Sequence, residues 1–198
     1  MQKRPNANGK SACRVQSVFF NPRKSVKFMY KDNRTYQKAF IMDMDGVVYT
    51  GSHLIPGAGE FVGRLQQGDY KFLFLTNNSY HKPEEIRDRL MGMGIDVPED
   101  CFYTSAMATA SFLRVQRPEG CSAYVIGGRG IVDELENAGI TITSDKPDYV
   151  IVAETEQYDY AKIIEATLLI QEGAKFIATN PDLTGPSLRS EERGVGKE

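Results

Sequence analysis

The sequence predicts an α/β fold that consists of two successive units of alternating strands and helices. Two apolar runs at 39–42 and 70–75 are short and unbroken, as is typical of strands in a parallel sheet. Stretches with apolar residues at helical spacing follow each of them. A second alternation of the same kind covers 123–178, beyond an Arg-Pro-Glu-Gly boundary at 117–120.

Helix boundaries are marked by glycine, proline and acidic residues. Gly68 is placed to end the first helix, and Pro83 suits the first turn of the second. The first unit is predicted to contain a fully buried strand at 39–42, a helix at 58–67, a strand at 70–75, a helix at 83–93 with Ile86, Leu90 and Met91 on its apolar stripe, a strand at 101–103 and a helix that begins at 104 or 105. The second unit is predicted to contain strands at 123–126, 149–153 and 175–178 and helices at 131–137 and 160–171.

Two carboxylates follow the first predicted strand. Asp43 and Asp45 are one residue apart, so their side chains share one side of an extended backbone, and Gly46 allows a sharp turn after them. Ligands of open α/β sheets lie beyond the carboxyl ends of the strands, where this pair falls. One carboxylate can act as a nucleophile and the other as a general acid or base, with a divalent cation screening their charges. The alternative is a plain turn, since Asp and Gly both favour turns.

A hydroxyl and an amide follow the second predicted strand. Thr76 and Asn77 come directly after the run at 70–75, so we expect them beside the aspartate pair if the two strands are parallel neighbours. Neutral donors at that position would bind a phosphate. The alternative is that Asn78 or Ser79 caps the helix that follows.

Together these segments resemble the haloacid dehalogenase (HAD) superfamily. Asp-x-Asp-Gly-Val-Val-Tyr at 43–49 is similar to its first motif, and Leu-Thr-Asn-Asn at 75–78 is similar to its second. The segments at 54–58, 102–110 and 176–182 resemble its NagD-like, 4-nitrophenylphosphatase branch, subclass IIA. Each motif is short, and the resemblance depends on their joint occurrence in this order.

The resemblance implies an enzyme, a Mg²⁺-dependent phosphatase of small phosphomonoesters such as nucleoside monophosphates or sugar phosphates. It implies that Asp43 attacks phosphorus and forms an aspartyl-phosphate, while Asp45 acts as general acid and then as general base. The Asp43 carboxylate and the backbone carbonyl of Asp45 would hold the Mg²⁺ together with the phosphate. Thr76, Asn77 and Gly46 would bind the phosphate.

The resemblance also implies a domain organisation, a Rossmann-like HAD core, present in part, with an inserted α/β cap domain. Residues 38–117 are expected to form the N-terminal part of the core, and 118–183 the cap, which covers the site and helps to select substrates. At the seam between them, Asn180 and Asp182 are expected to arrange the substrate, with an Asx-type turn as the alternative. A homo-oligomer formed through the cap is left open.

Both ends of the sequence depart from the family pattern. Residues 1–38 hold ten Lys or Arg and one acid, and we expect 1–37 to be a disordered extension, with a targeting segment or a nucleic-acid or membrane arm as alternatives. Beyond Leu183 we find neither the third-motif lysine on a strand nor the fourth-motif acids. The stretch at 184–198 resembles a translated sequencing adapter near its end. We therefore expect a C-terminally truncated chain with weak or no activity of its own.

Composition indicates an ordinary soluble globular protein, with 41% hydrophobic and 25% charged residues and a net charge of −2. No run is long enough for a membrane span. Cys13, Cys101 and Cys121 form no metal-ligand pattern, so a reducing cytoplasm is the expected location. The expected partner is a small phosphorylated metabolite, with no nucleic acid and no membrane.

Two other functions remain open from the sequence. A receiver-like module also carries acids at strand ends and would bind phosphate or metal without turnover. A pseudoenzyme would keep the fold and lack part of the site. The adjacent aspartates and the second α/β unit favour the hydrolase. The natural substrate and the oligomeric state do not follow from these patterns.

Overall fold

The computed structural model describes residues 38–181, apart from 69 and 158. Within this range it contains a three-stranded sheet, a four-stranded sheet and a short two-stranded hairpin. The predictions for both ends of the sequence and for Asp182 fall outside the described residues. No helix in the described range is long and apolar enough to cross a membrane.

The first unit is built on a parallel sheet of three strands in the order β1–β4–β5. Its elements are β1 (Ala39–Asp43), β2 (Tyr49–Thr50), β3 (His53–Leu54), α1 (Ala58–Gln67), β4 (Lys71–Thr76), α2 (Pro83–Gly92), a 3-10 turn (Glu99–Cys101), β5 (Phe102–Thr104) and α3 (Ser105–Gln116). The predicted α/β class and the alternation of strands and helices are therefore confirmed in this unit.

One face of this sheet packs against α1 and α2. Phe74 and Phe102 are stacked on it with ring centroids 5.4 Å apart, and both are buried. Val62 of α1 and Leu90 of α2 belong to the same cluster. Burying each side chain of this size contributes roughly 1.5–3 kcal/mol to folding, so this face holds the strand ends in place.

Two burial predictions in the first unit are wrong. The strand at 39–42 was expected to be fully buried, yet Ile41 is 65% exposed. Exposure alternates along β1, because in the described range only the face that carries Phe40 and Met42 is covered. Met91 was expected on the apolar stripe of α2 and is also exposed, because it follows the buried Leu90 by one residue and points about 100° away around the helix.

The second unit is a parallel sheet of four strands in the order β7–β6–β8–β9. Its elements are β6 (Ser122–Ile126), α4 (Arg129–Asn137), β7 (Thr141–Ile142), β8 (Tyr149–Val152), α5 (Tyr160–Gln171) and β9 (Lys175–Ala178). Helix α3 shares its core: Ala106 and Leu113 cluster with Ile131 and Leu135 of α4. The helix that follows β5 thus packs with the second sheet.

The short strands were not predicted. Neither the hairpin of β2 and β3 nor β7 is among the elements expected from the sequence. Each of these strands has two residues, which is too short for any alternation of polar and apolar side chains to show.

Asp148 joins the beginnings of β6 and β8. Its carboxylate accepts bonds from the backbone N–H of Ser122 at 2.8 Å and from the Ser122 hydroxyl at 2.9 Å, and the Arg117 guanidinium lies 3.5 Å away. The two bonds from Ser122 are the main reason that the pKa of Asp148 is lowered. The ionised form is therefore the one that stabilises the fold.

We expect Asp148→Ala to lower the free energy of unfolding by about 1 kcal/mol at neutral pH, a value reduced by the partial exposure of the carboxylate. Because the folded pKa is lowered, the contribution is present above the unfolded pKa of about 3.9 and is lost as the pH falls through the folded pKa. Urea unfolding at neutral and acidic pH measures this. Asp145→Ala, at an exposed neighbour, is the control. A loss that is equally large at low pH would contradict the assignment.

Candidate active site

The parallel sheet brings the predicted residues to one edge. Asp43 is the last residue of β1 and is in register with Leu75, while Thr76 ends β4 and is in register with Thr104 of β5. Asp45 and Asn77 follow within two residues of these strand ends. The carboxyl ends of the parallel strands therefore carry the aspartate pair on one strand and the hydroxyl and amide on its neighbour.

The aspartates lie on the open side of the strand end. Met44 between them is fully buried, while Asp43 is exposed and Asp45 half-buried. The backbone N–H of Met44 donates to Asp43 Oδ1 at 2.7 Å, which orients the carboxylate. The charge of Asp43 raises the pKa of Asp45, so the two side chains interact electrostatically.

A tight turn follows the pair. Gly46 has φ of 77°, a left-handed conformation that suits glycine, and its N–H donates to the carbonyl of Tyr49 at 2.8 Å. Asp45 and Tyr49 form a bridge between short stretches of backbone. The turn folds Tyr49 back against Asp45.

Tyr49 and Arg89 lie beside Asp45, and neither was predicted as a site residue. Both influence the pKa of the Asp45 carboxyl, and the Arg89 guanidinium lies 4.7 Å from the centroid of the Tyr49 ring. Arg89 also donates to the carbonyl of Gly51, which ties the β2–β3 hairpin to α2. Tyr49 lies within the first motif, whereas no sequence signal marks Arg89.

Burial has the largest effect on the pKa values of Asp45 and Tyr49. Desolvation raises the pKa of Asp45, and the charge of Asp43 raises it further, against the Arg89 guanidinium and the Tyr49 hydroxyl, which lower it. Burial and the Asp45 carboxylate likewise raise the pKa of Tyr49 to about 12, so its hydroxyl stays protonated. A carboxyl that keeps its proton to higher pH than usual is suited to donate it.

The loop after β4 is held by its own side chains. Thr76 is buried, and its Oγ1 accepts from the backbone N–H of Asn78 at 3.1 Å. The carbonyl of Asn77 accepts from the hydroxyl of Ser105 at 2.6 Å. Thr76 points to the face that carries Phe74, and Asp43 points to the opposite face, so the two side chains approach the edge from different sides of the sheet.

Neither alternative residue caps helix α2. The residue at its N-cap is Lys82, with Glu85 accepting from the Lys82 N–H at 3.0 Å. Asn78 Oδ1 accepts from the N–H groups of Tyr80 and His81 at 3.1 and 2.8 Å, so it stabilises the turn before the helix. Ser79 instead contacts the loop after β8 in the second unit.

The end of β9 lies near this loop. The hydroxyl of Thr179 is 3.3 Å from that of Ser79, and Asn180 follows it, half-buried. Thr179, next to Asn180, therefore contacts the first unit. Asp182 is outside the described residues.

The oxygen atoms at this edge could supply only part of the coordination shell of a magnesium ion. Among residues 38–181, excluding 69 and 158, no group of three or more His, Cys, Asp or Glu could hold a metal. Mg²⁺ is commonly bound through one or two carboxylates and keeps several waters or substrate oxygens. Asp43 supplies one such carboxylate, and the resemblance implies the backbone carbonyl of Asp45 as a second oxygen ligand. The negative charge that Asp43 and Asp45 bring to this edge favours a cation beside them.

Comparison with known proteins identifies the family. The model for haloacid dehalogenase-like hydrolases matches residues 40–141. The chain belongs to the haloacid dehalogenase-like hydrolase family. The match begins within β1, spans the aspartate pair and the loop after β4, and ends in the second sheet.

Within the HAD family the chain is a member of the NagD-like branch. It is 43% identical over 148 residues to ribonucleotide monophosphatase NagD of Escherichia coli strain K12, which covers 75% of this chain and 58% of that protein. It is 42% identical over 153 residues to dihydroxyacetone phosphatase of Corynebacterium glutamicum strain R, covering 77% of this chain and 55% of that protein. The chain therefore spans less than two thirds of these relatives.

The fold agrees with this assignment. The solved structure of NagD from E. coli K-12 superposes with a TM-score of 0.70 and 41% identity, over 77% of this chain and 60% of that one. The Rossmann-like arrangement of the first HAD unit is thus shared with a NagD protein of known structure.

Proposed function

We propose that the protein is a Mg²⁺-dependent phosphomonoesterase that acts through an aspartyl-phosphate intermediate. One observation carries the proposal: in a chain of the HAD family, Asp43 and Asp45 interact at the carboxyl edge of a parallel sheet whose neighbouring strand ends in Thr76. Phosphoryl transfer needs a nucleophile, a proton donor and stabilisation of negative charge, and this edge offers groups for each need.

The two aspartates take different roles. Asp43 is exposed and oriented by the N–H of Met44, which suits a nucleophile that must reach phosphorus. Asp45 is half-buried with a raised pKa, which suits a group that first protonates the leaving oxygen and then takes a proton from the attacking water. In the first step the bond from Asp43 to phosphorus forms as the ester bond breaks. In the second, water displaces Asp43 and releases phosphate.

Thr76, Asn77 and Gly46 bind the phosphoryl group in this proposal. The Thr76 hydroxyl accepts a bond from the N–H of Asn78, which leaves its own proton to be donated. It would reach a phosphate oxygen at the end of β4, from the side of the sheet opposite Asp43. The bond from Ser105 to the carbonyl of Asn77 fixes the backbone beside it. The left-handed turn at Gly46 brings the chain sharply away from the aspartates and leaves room for the substrate.

Mg²⁺ would be held by the Asp43 carboxylate and the backbone carbonyl of Asp45, which leaves the Asp45 side chain to move the proton. When bound it supplies positive charge that offsets the two carboxylates and the charge of the phosphoryl oxygens. The residues of the chain do the rest: they orient the nucleophile, hold the proton and exclude water from the buried side of Asp45.

Small phosphorylated metabolites are the proposed substrates, and the second sheet is the proposed cap. One relative is named for dihydroxyacetone and another for ribonucleotide monophosphates, which supports small phosphomonoesters as the class. Since α3 packs with the second sheet, we place the start of the cap near Ser105 rather than at the boundary at 117–120. Asn180 lies at the seam and is proposed to contact the leaving group, as is Asp182.

A second copy is proposed to bind on the cap. Tyr160, Ile164 and Leu168 are exposed on one face of α5, four residues apart. An apolar stripe of this kind on a surface helix is typical of a contact with another protein surface. This part of the proposal is independent of the catalytic mechanism.

Turnover in the presence and absence of magnesium tests the function. We expect the protein expressed from the complete reading frame that encodes this chain to release many phosphates per molecule from 4-nitrophenyl phosphate, to stop when EDTA removes the metal, and to recover with added Mg²⁺. A receiver-like module would take up one phosphate per chain and stop. That result, or no release under any of these conditions, would contradict the proposal.

A further inference from the structure

Contacts between the two units converge on residues 79–82, which connect the loop after β4 to α2. Ser79 is completely buried at 0% exposure. Its Oγ accepts from the backbone N–H of Glu154 at 2.9 Å and lies 3.3 Å from the hydroxyl of Thr179. One side chain of the first unit thus joins two loops of the second.

A close backbone approach lies beside it. The N–H of Gly130, in the first turn of α4, donates to the carbonyl of Tyr80 at 2.9 Å. A Cβ on Gly130 would lie 2.7 Å from that carbonyl oxygen and 2.8 Å from the carbonyl oxygen of His81, and a Cβ on Gly128 would meet the Tyr80 ring. Only glycine allows this approach without moving backbone, so the glycines after β6 have a packing role that a simple turn does not require.

An ion pair extends the same contact. Lys82 pairs with Asp133 of α4, which also accepts from Arg129 at 3.0 Å. The interaction between the units therefore includes a buried hydroxyl, a backbone hydrogen bond and a charge pair within four consecutive residues of the first unit. Rotation of the second unit about this segment would break all of them.

The position of these contacts matters for ligand binding. Ser79 comes just after β4, Gly128 just after β6, Glu154 just after β8 and Thr179 just after β9. The carboxyl ends of strands in both parallel sheets therefore meet across one short segment. Because ligands of open α/β sheets bind beyond the carboxyl ends, the two binding edges face a common space.

We propose that Ser79 and Gly130 are positioning residues that fix the edge of the second sheet over the phosphate site of the first. The first unit then binds the phosphoryl group, and the second contacts the leaving group at a set distance. Neither residue touches the reacting atoms. This inference rests on the proposed phosphatase function.

Two substitutions in the full-length protein test it. Ser79→Ala removes the buried hydroxyl, and Gly130→Ala forces the helix away from Tyr80. We expect either change to raise KM for a ribonucleoside monophosphate roughly tenfold, as a misplaced binding surface does, while the inhibition constant of inorganic phosphate stays within about twofold. Inorganic phosphate has no leaving group, so it needs only the first unit.

Matched controls separate positioning from general damage. Ser111→Ala on α3 is the control for the loss of a hydroxyl. Gly63→Ala on α1 is the control for an added methyl group, because nothing lies within 4 Å of a Cβ at Gly63. Both should leave KM and the inhibition constant unchanged. Lys82→Gln, at a partly exposed ion pair, should raise KM by a smaller factor. It replaces either main variant that fails to fold.

The outcomes are distinguishable. An unchanged KM in the folded variants, or an inhibition constant that rises in step with KM, would overturn the positioning role and leave the phosphatase assignment standing. Absence of turnover in the unsubstituted protein would overturn the proposed function instead.

Discussion

Asp43→Asn is expected to reduce turnover of 4-nitrophenyl phosphate by roughly 10⁴–10⁶-fold, the loss typical of removing a catalytic nucleophile. An amide cannot attack phosphorus, while it has nearly the size of the carboxylate. Its oxygen can still accept the bond from the N–H of Met44 at the end of β1. The fold should therefore survive.

The matched control is Asp88→Asn, at an exposed aspartate on α2. It makes the same chemical change away from the sheet edge and should retain the full rate. Steady-state release of 4-nitrophenolate in Mg²⁺ measures both variants, with circular dichroism as the check on folding. A rate for Asp43→Asn close to that of Asp88→Asn would show that Asp43 is not the nucleophile.

Asp45→Asn is expected to lower turnover by roughly 10²–10⁴-fold, the usual contribution of a general acid or base. The effect should depend on the leaving group. 4-Nitrophenolate leaves without a proton, so the first step survives and a burst of about one product per site precedes slow hydrolysis. A sugar phosphate needs protonation of its leaving alkoxide, so no burst should appear.

This leaving-group dependence follows from the surroundings of Asp45. Burial raises the pKa of Asp45, which favours its role as a proton donor, and the Tyr49 hydroxyl and the Arg89 guanidinium beside it act in the opposite direction. Rapid-quench kinetics with the two substrates measure the burst. Equal losses for both substrates with no burst for either would assign Asp45 to another role, such as metal binding alone.

The helices and the longer strands could be predicted because their signals are local. Helix α5 and strand β9 have the predicted bounds, and α1 ends before Gly68 as expected. The exposure of β1 could not be predicted, because an apolar run does not reveal which faces of a strand are covered. The pairing of α3 with the second sheet also depends on tertiary packing, since its small apolar residues fit either unit.

In the candidate site, too, local features could be predicted from the sequence and tertiary contacts could not. Asp43 and Asp45 were evident because they are adjacent in sequence and end a strand. Arg89 was not, because its contact with the Tyr49 ring joins a helix to a turn far away in the chain. The role of Ser79 was misjudged for a similar reason: its position suggested a helix cap, and its partner is the backbone of Glu154.

The account depends most on a covalent bond between phosphorus and Asp43. Peptide mass spectrometry of acid-quenched Asp45→Asn, mixed with 4-nitrophenyl phosphate and Mg²⁺, tests that bond directly. We expect the peptide that contains Asp43 to carry the mass of one phosphoryl group, located on that residue by fragmentation. A burst of 4-nitrophenolate with that peptide unmodified, or with the phosphoryl group on another residue, would contradict the mechanism.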